Sequence, residues 1–145
     1  MMSTIDPILA AKGHDVFTIS ADSTVFDALQ TMAERDVGAL VVLDGELIVG
    51  MFSERDYARK VILQGLSSPR TTVRQVMTDA VYYAAPGQSV EECMALMTEK
   101  HIRHLPVLDE AGRLVGVISI GDLVRASIAD KEFLISQLEK YILGH

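Results

Sequence analysis

The stretch Gly50-Met51-Phe52-Ser53-Glu54-Arg55-Asp56 is written a second time as Gly116-Val117-Ile118-Ser119-Ile120-Gly121-Asp122. Each copy has a glycine, two apolar residues, a serine, two variable residues and an aspartate. An apolar run precedes each copy and a helical pattern follows it, so the serine is predicted to end a strand and begin a helix. Serine is a preferred helix N-cap, and the aspartate falls in the first turn beside unpaired backbone N–H groups. The pattern fits either an ordinary helix start or a receptor for sugar hydroxyls beside a phosphate.

The doubled stretch belongs to a longer internal repeat. Upstream of the motif the spacing is 65, as in Val42 and Val107 (107 − 42 = 65), and downstream it is 66, as in Arg59 and Arg125 (125 − 59 = 66). The slip of one residue falls in a turn-like segment that follows Asp44 in one copy and Asp109 in the other, where an insertion costs little. The chain is therefore predicted to hold two copies of one structural unit.

Composition excludes several classes of protein. The 145 residues, 49% of them apolar, can form one domain or two small ones that share a core. A net charge of −7 argues against a nucleic-acid partner. The single cysteine, Cys93, cannot form an internal disulfide and is predicted to be a buried apolar residue rather than a nucleophile. No apolar run has the length of a membrane span or the layout of a signal peptide, so we expect a soluble cytoplasmic protein without a membrane partner.

Apolar periodicity and turn residues predict the order of the elements. Helices are expected over residues 5–12, from Thr24, from Ser53 to about Gln64, over 90–100 and from Ser119 to Gly144; strands are expected over 16–19, 38–43, 47–52, 81–84, 105–108 and 114–118. The organisation is then an N-terminal helix (1–13), repeat 1 (14–65), a linker (66–78), repeat 2 (79–129) and a C-terminal helical extension (130–145). Residues 130–143 are amphipathic without a counterpart in repeat 1, and are predicted to pair with a partner subunit.

The tandem strand-helix-strand-strand-helix unit, with G-h-h-S-x-x-D at each third strand and His104-Leu105-Pro106-Val107 in repeat 2, resembles a CBS-domain pair, also called a Bateman module. The resemblance covers residues 14–129. It implies an α/β fold in which two βαββα repeats pack about a pseudo-two-fold axis, with the sheets facing each other and the helices outside. It also implies two clefts that bind adenosine-containing ligands such as AMP, ADP, ATP, NAD or S-adenosylmethionine, and a homodimer active in signal transduction.

The resemblance also assigns roles to residues. It implies that Asp56 and Asp122 accept hydrogen bonds from ribose hydroxyls, at the surface of the clefts, and that Ser53 and Ser119 offer a hydroxyl to the ribose or phosphate. Arg55 is predicted either to contact a phosphate or to pair with a neighbouring carboxylate. The other candidates flank the base or supply positive charge: Thr18, Ile19, Ala39, Leu40, Val41 and Phe52 in repeat 1; Tyr83, Ala84, Arg103, His104, Pro106 and Ile118 in repeat 2; and Lys12 as a further phosphate ligand.

The two clefts are expected to be unequal, because their charged residues differ. Gly121 stands where repeat 1 has Arg55, and Gly38 stands where repeat 2 has Arg103. A negative protein that binds an anionic ligand needs local cations, so these positions should decide which cleft binds it.

The resulting hypothesis is a non-catalytic sensor of an adenine nucleotide that acts on an unidentified regulated protein. An enzyme acting on the same nucleotide is disfavoured, because no pair of general base and nucleophile is visible. His101 and His104 have no further His or Cys nearby, so no metal site is predicted. A structural or partner-binding module with empty clefts is the alternative.

Overall fold

The computed structural model describes residues 3–13 and 15–143, and it has a mixed α/β fold, as predicted. Its helices are α1 (Asp6–Lys12), α2 (Val25–Arg35), α3 (Glu54–Asp56), a π-helix (Tyr57–Ile62), a 3-10 helix (Ser68–Arg70), α4 (Val73–Val76), α5 (Val90–Lys100) and α6 (Ile120–Leu143); its strands are β1 (Thr18–Ser20), β2 (Ala39–Asp44), β3 (Leu47–Ser53), β4 (His104–Leu108) and β5 (Leu114–Ser119). The chain divides into two compact units. We call residues 16–82 the first-repeat unit, and the described residues of 1–15 and 83–145 the second-repeat unit.

The first-repeat unit is built on a three-stranded sheet in the order β1-β2-β3. β1 runs parallel to β2, with Thr18 opposite Val41, and β2 runs antiparallel to β3, with Ala39 opposite Ser53. The side chain of Thr24 caps α2 by accepting a hydrogen bond from the backbone N–H of Asp27, as its sequence pattern predicts. The core of the unit is apolar and consists of Ala21, Val25, Ala28, Met32, Leu40, Val42, Phe52, Val61, Val73 and Val76.

The second-repeat unit has the predicted hairpin of β4 and β5 but lacks the predicted strand over residues 81–84. Within that stretch Ala84 forms an isolated parallel bridge with Val107. In the first-repeat unit the backbone N–H of Val41 donates to Phe17 across the equivalent strands. The residue that matches Val41 is Pro106 (41 + 65 = 106), which has no N–H to donate. The second-repeat unit therefore lacks the hydrogen bond that Val41 donates in the first-repeat unit.

The helix after Ser53 was predicted to continue to about Gln64, and the structure corrects its type and its end. Ser53 caps α3 in a capping box with Asp56, but after this single turn the chain becomes a π-helix that ends at Ile62. The backbone N–H of Leu63, for example, donates to the carbonyl of Ala58, five residues back. A π-helix has more residues per turn than an α-helix, so the side chains that lie on the same face as Asp56 differ from those of an α-helix.

Two leading segments, residues 3–12 and 71–78, make equivalent contacts with the repeats. Thr4 bridges Ser89, and Thr72 bridges Thr24 at the matching position of the other repeat. Both segments lie beside a repeat that is not the one they precede in sequence. Residues 3–12 therefore pack on repeat 2, and the segment predicted as a linker packs on repeat 1.

The glycine that opens each motif allows a leading segment to lie close to the motif. A Cβ atom on Gly50 would lie 2.8 Å from the carbonyl oxygen of Thr78 and 2.7 Å from the sulfur of Met77. A Cβ atom on Gly116 would lie 2.5 Å from Cδ2 of Leu9. The leading segments thus explain why both copies of the motif begin with glycine.

The last helix, α6, extends for 24 residues, as predicted, while its expected end at Gly144 lies outside the described residues. From residue 131 to residue 143 every side chain is exposed. Among the described residues no helix is both long and apolar enough to cross a membrane.

Candidate functional site

The carboxylate of Asp56 is held on both oxygens within the first-repeat unit. Oδ2 accepts hydrogen bonds from the backbone N–H and the hydroxyl of Ser53, at 3.0 and 3.1 Å. Oδ1 accepts one from the hydroxyl of Thr78 at 2.9 Å and pairs with Nζ of Lys60 at 3.1 Å. Thr78 is itself fixed, because its backbone exchanges two hydrogen bonds of 2.9 Å with Met51. The site is therefore closed by rigid backbone as well as by side chains.

The carboxylate of Asp122, in the second-repeat unit, is held by more mobile partners. Oδ2 accepts a hydrogen bond from the backbone N–H of Ser119 at 2.9 Å and one from Nζ of Lys12 at 2.8 Å. Oδ1 accepts one from the guanidinium of Arg125 at 2.8 Å. The side chains of Lys12 and Arg125 are 43% and 72% exposed, whereas that of Asp122 is 11% exposed.

These positions correct one prediction. Both aspartates were expected at the surface, yet Asp56 is only 8% exposed and the Asp122 side chain is nearly as buried. Each also takes part in the cap of its helix, since its backbone N–H donates to the hydroxyl of the motif serine and its carboxylate accepts from the backbone N–H of that serine. A ligand role and a structural role must therefore be separated by experiment.

Charge in the second-repeat unit is concentrated around Asp122. Burial alone would raise the pKa of Asp122, but hydrogen bonds from Lys12 and Ser119 and the charge of Lys12 outweigh it, so its pKa lies below the ordinary value. Burial lowers the pKa of His104, and the charges of Lys12 and Arg103 lower it further. Burial therefore favours the neutral form of His104, and the positive charge predicted at this position stays a prediction.

The other predicted residues differ in exposure. Several are fully buried in the apolar core, so their side chains are covered: Leu40, Val41, Phe52 and Ile118. Ala84 and Pro106 are also buried, and the backbone of Ala84 already bonds to Pro106 and Leu108. Exposed or half-buried candidates are Lys12, Thr18, Ile19, Ala39, Ser53, Arg55, Tyr83, Arg103, His104 and Ser119. Among the described residues Arg55 makes no ion pair, and the carboxylate of Asp56 pairs with Lys60 instead.

Three contacts of the aspartates were missed in the sequence. Lys60 lies four residues after Asp56 and Arg125 three after Asp122, which are helical spacings that place the side chains on one face. Thr78 lies 22 residues from Asp56, and no local pattern connects them. The sequence feature that points to the segment of Thr78 is the similarity of the two leading segments, in which Thr4-Ile5 corresponds to Thr72-Val73.

The described part of the chain gives little support to two other kinds of site, a metal site and a nucleophilic cysteine. No group of three or more His, Cys, Asp or Glu side chains there is arranged to hold a metal ion. Cys93 is 1% exposed, as predicted, and burial raises the pKa of its thiol. A buried thiol with a raised pKa is a poor nucleophile.

Comparison with known proteins identifies the family. A CBS domain model matches residues 12–62 and 73–129. The CBS domain-containing protein CBSX3, mitochondrial, of Arabidopsis thaliana is 37% identical over 151 residues, which cover 98% of this chain and 73% of the relative. A solved structure of a protein with CBS domains from Burkholderia ambifaria is 53% identical with a TM-score of 0.84, covering 88% of this chain and 96% of that one. The chain therefore belongs to the CBS-domain family and carries two copies of the domain.

A more distant structure resembles the chain in fold. The CBS domain pair of protein MJ0100, solved with 5′-methylthioadenosine and S-adenosyl-L-methionine, has a TM-score of 0.78 at 21% identity over 90% of this chain and 99% of that one. As a class, CBS-domain pairs are regulatory ligand-binding modules. The cytoplasmic location stays a prediction, since the plant relative is mitochondrial by name.

Proposed function

We propose that this chain is a non-catalytic regulatory module that binds an adenosine-containing ligand through the motif aspartates, with Asp122 in the more accessible site. The observation that carries the proposal is the set of partners around Asp122. The backbone N–H of Ser119 keeps the carboxylate in place, while the exposed side chains of Lys12 and Arg125 can turn aside. Ribose hydroxyls can then donate hydrogen bonds to the carboxylate, as they do to the acidic residue of dinucleotide-binding folds.

The Asp56 site is the less accessible one. A ribose at this carboxylate must displace the hydroxyl of Thr78, whose backbone is fixed by its hydrogen bonds to Met51. Lys60, on the same oxygen, is 42% exposed and can turn aside as Lys12 does, so Thr78 is the group that blocks this site. We therefore expect one ligand per chain, in agreement with the unequal clefts predicted from the sequence.

The ligand class rests on the motif and on the relatives. AMP, ADP, ATP, NAD and S-adenosylmethionine share the ribose diol that an aspartate can recognise, and the distant CBS pair solved with two adenosine compounds favours this class. Tyr83 is 39% exposed in the second-repeat unit and offers an aromatic face for the base. Regulation requires that the ligand bind one state of the module better than another, so that a partner protein can respond to the change.

Calorimetric titration of the full chain with AMP, ATP, NAD and S-adenosylmethionine tests this function. We expect one ligand per chain for at least one of the four compounds. Asp122→Asn should weaken binding by about 10- to 100-fold, because a hydrogen bond to a charged group is worth about 1.5–3 kcal/mol. Asp56→Asn is the matched control and should bind as the natural sequence does. No heat with any of the four compounds would contradict the proposal.

A second role, self-association, is favoured by the C-terminal part of α6. Six of its exposed apolar side chains recur at helical spacing and form one stripe, while Phe133 and Leu143 are exposed outside it; the stripe consists of Ile128, Leu134, Ile135, Leu138, Tyr141 and Ile142. A long helix with such a stripe gains stability by packing it against another helix. We propose that a second copy of the chain covers this stripe, which gives the homodimer predicted from the sequence.

Sedimentation velocity measures this association. Leu138→Glu places a charge in the centre of the stripe, and we expect it to convert a dimer into a monomer, because burying an unpaired carboxylate is costly. Ser136→Glu adds the same charge on the side of the helix opposite the stripe and should leave the dimer intact. A natural sequence that sediments as a monomer, or a Leu138→Glu variant that remains a dimer, would exclude this role for α6.

A further inference from the structure

We propose that Lys12 and Arg125 form an anion subsite beside Asp122, which makes this site select phosphorylated adenosine over neutral or cationic adenosine compounds. The inference rests on the proposed function and specifies its ligand. Lys12, Asp122 and Arg125 line a groove of about 520 Å³ in the second-repeat unit, together with apolar atoms of Ile8 and Ala126. The groove has room for a phosphate next to the carboxylate.

Both cations have hydrogen-bond donors to spare. The ammonium of Lys12 has three N–H groups, of which two point at the carbonyl of Val117, at 2.9 Å, and at Asp122. The guanidinium of Arg125 has five, and its hydrogen bond to the other oxygen of Asp122 uses one of them. Within residues 3–13 and 15–143 the remaining donors have no acceptor. Two partly engaged cations on one carboxylate leave a local positive charge, although the whole chain carries −7.

The first-repeat unit lacks this arrangement, which argues that it is a property of one site rather than of the motif. Asp56 is paired with one cation, Lys60, and with the uncharged hydroxyl of Thr78. Arg59, at the position that matches Arg125, makes no ion pair among the described residues. By the match of the leading segments, Lys12 corresponds to Ala80 (12 + 68 = 80), which carries no charge.

The arrangement distinguishes ligands by charge. A ribose that donates to Asp122 takes over part of the role of Lys12 and Arg125, and a phosphate can then accept hydrogen bonds from the freed donors. Neutral adenosine offers them no acceptor of comparable strength. S-adenosylmethionine carries a sulfonium and an ammonium against a single carboxylate, so its net charge is positive and the local positive charge disfavours it. We therefore expect AMP to bind at least about tenfold more tightly than adenosine, with S-adenosylmethionine no tighter than adenosine.

The anchoring of α1 makes Lys12 a suitable residue to change. Ile5 and Leu9 hold this helix by burial, at 0% and 1% exposure, while the Lys12 side chain reaches out at the end of the helix. A substitution of Lys12 should therefore alter the charge of the groove without releasing α1. Lys12→Gln removes the charge and keeps most of the side-chain length, and Lys12→Arg preserves the charge.

The test is calorimetric titration of the full chain with AMP and with adenosine. In Lys12→Gln and Arg125→Gln we expect AMP affinity to fall about tenfold or more, while adenosine affinity is unchanged or increased. Lys12→Arg should keep the preference for AMP, and Arg59→Gln, the matched control in repeat 1, should bind both ligands as the natural sequence does. A melting curve for each variant checks that it is folded.

The possible failures are distinguishable. Equal affinities of the natural sequence for AMP and adenosine would overturn the subsite and leave the proposed function standing. The same conclusion follows if Lys12→Gln weakens both ligands equally, since that result indicates a structural role for Lys12. Absence of heat with both ligands would overturn the proposed function and the subsite with it.

Discussion

Gly50→Ala is expected to lower the free energy of unfolding by about 3 kcal/mol, the upper part of the range for overpacking in a closely packed core. The added methyl group would lie 2.8 Å from the carbonyl oxygen of Thr78, far inside van der Waals contact. This oxygen belongs to backbone that Met51 holds by two hydrogen bonds, so it cannot move without breaking them. Urea denaturation, followed by circular dichroism, measures the loss.

Gly116→Ala provides the matched comparison in repeat 2. The new methyl group meets Cδ2 of Leu9, the end of a side chain that can rotate, and no backbone atom. We expect a loss of about 1 kcal/mol, the lower part of the same range. Equal losses in the two variants would show that the backbone contact at Gly50 does not limit the approach of the leading segment.

Asp56→Ala is expected to destabilise the chain by about 3 kcal/mol, because it removes one partner of a buried, charged network. Without the carboxylate, the backbone N–H of Ser53 and the hydroxyl of Thr78 lose their acceptor, and Lys60 keeps only its long contacts with Met77 and Thr78. Asp122→Ala should cost less, about 1 kcal/mol, because Lys12 and Arg125 are exposed enough to turn to water.

Thermal unfolding of the two alanine variants at equal concentration checks this difference. Thr78→Val serves as a third variant, since it removes one hydrogen bond and preserves the shape; we expect it to cost about 1 kcal/mol. If Asp56→Ala melts with the natural sequence, the carboxylate is not a structural element and its burial has another cause. If Asp122→Ala is less stable than Asp56→Ala, the exposure of the partners does not determine the cost of removing each carboxylate.

Much of the fold could be predicted because it depends on local signals. Each of these elements has its sequence signal within one continuous stretch of the chain: the caps at Thr24 and Ser53, the two hairpins and the long α6. The absence of a strand at residues 81–84 could also have been predicted, because Pro106 in the neighbouring strand has no backbone N–H to donate to these residues. The π-helix after Asp56 has no comparable signal in its residue types.

The candidate site was harder to predict because its decisive contacts are distant in sequence. Lys12 reaches Asp122 across 110 residues, and only folding brings them together. The burial of both aspartates follows from the leading segments, which pack beside the glycines of the motifs. Sequence patterns identified the two carboxylates as candidates, and their ligand role stays a prediction, while the partners of each carboxylate depend on the tertiary structure.

The placement of the leading segments gives the two units different routes of assembly during synthesis. Residues 16–82 are continuous in the chain, so the first-repeat unit can fold as soon as they have left the ribosome. Residues 3–12 are made earlier, but their partner, Ser89 and the repeat around it, is made later. The second-repeat unit can therefore be completed only after the second repeat has been made, which makes it the later unit to form.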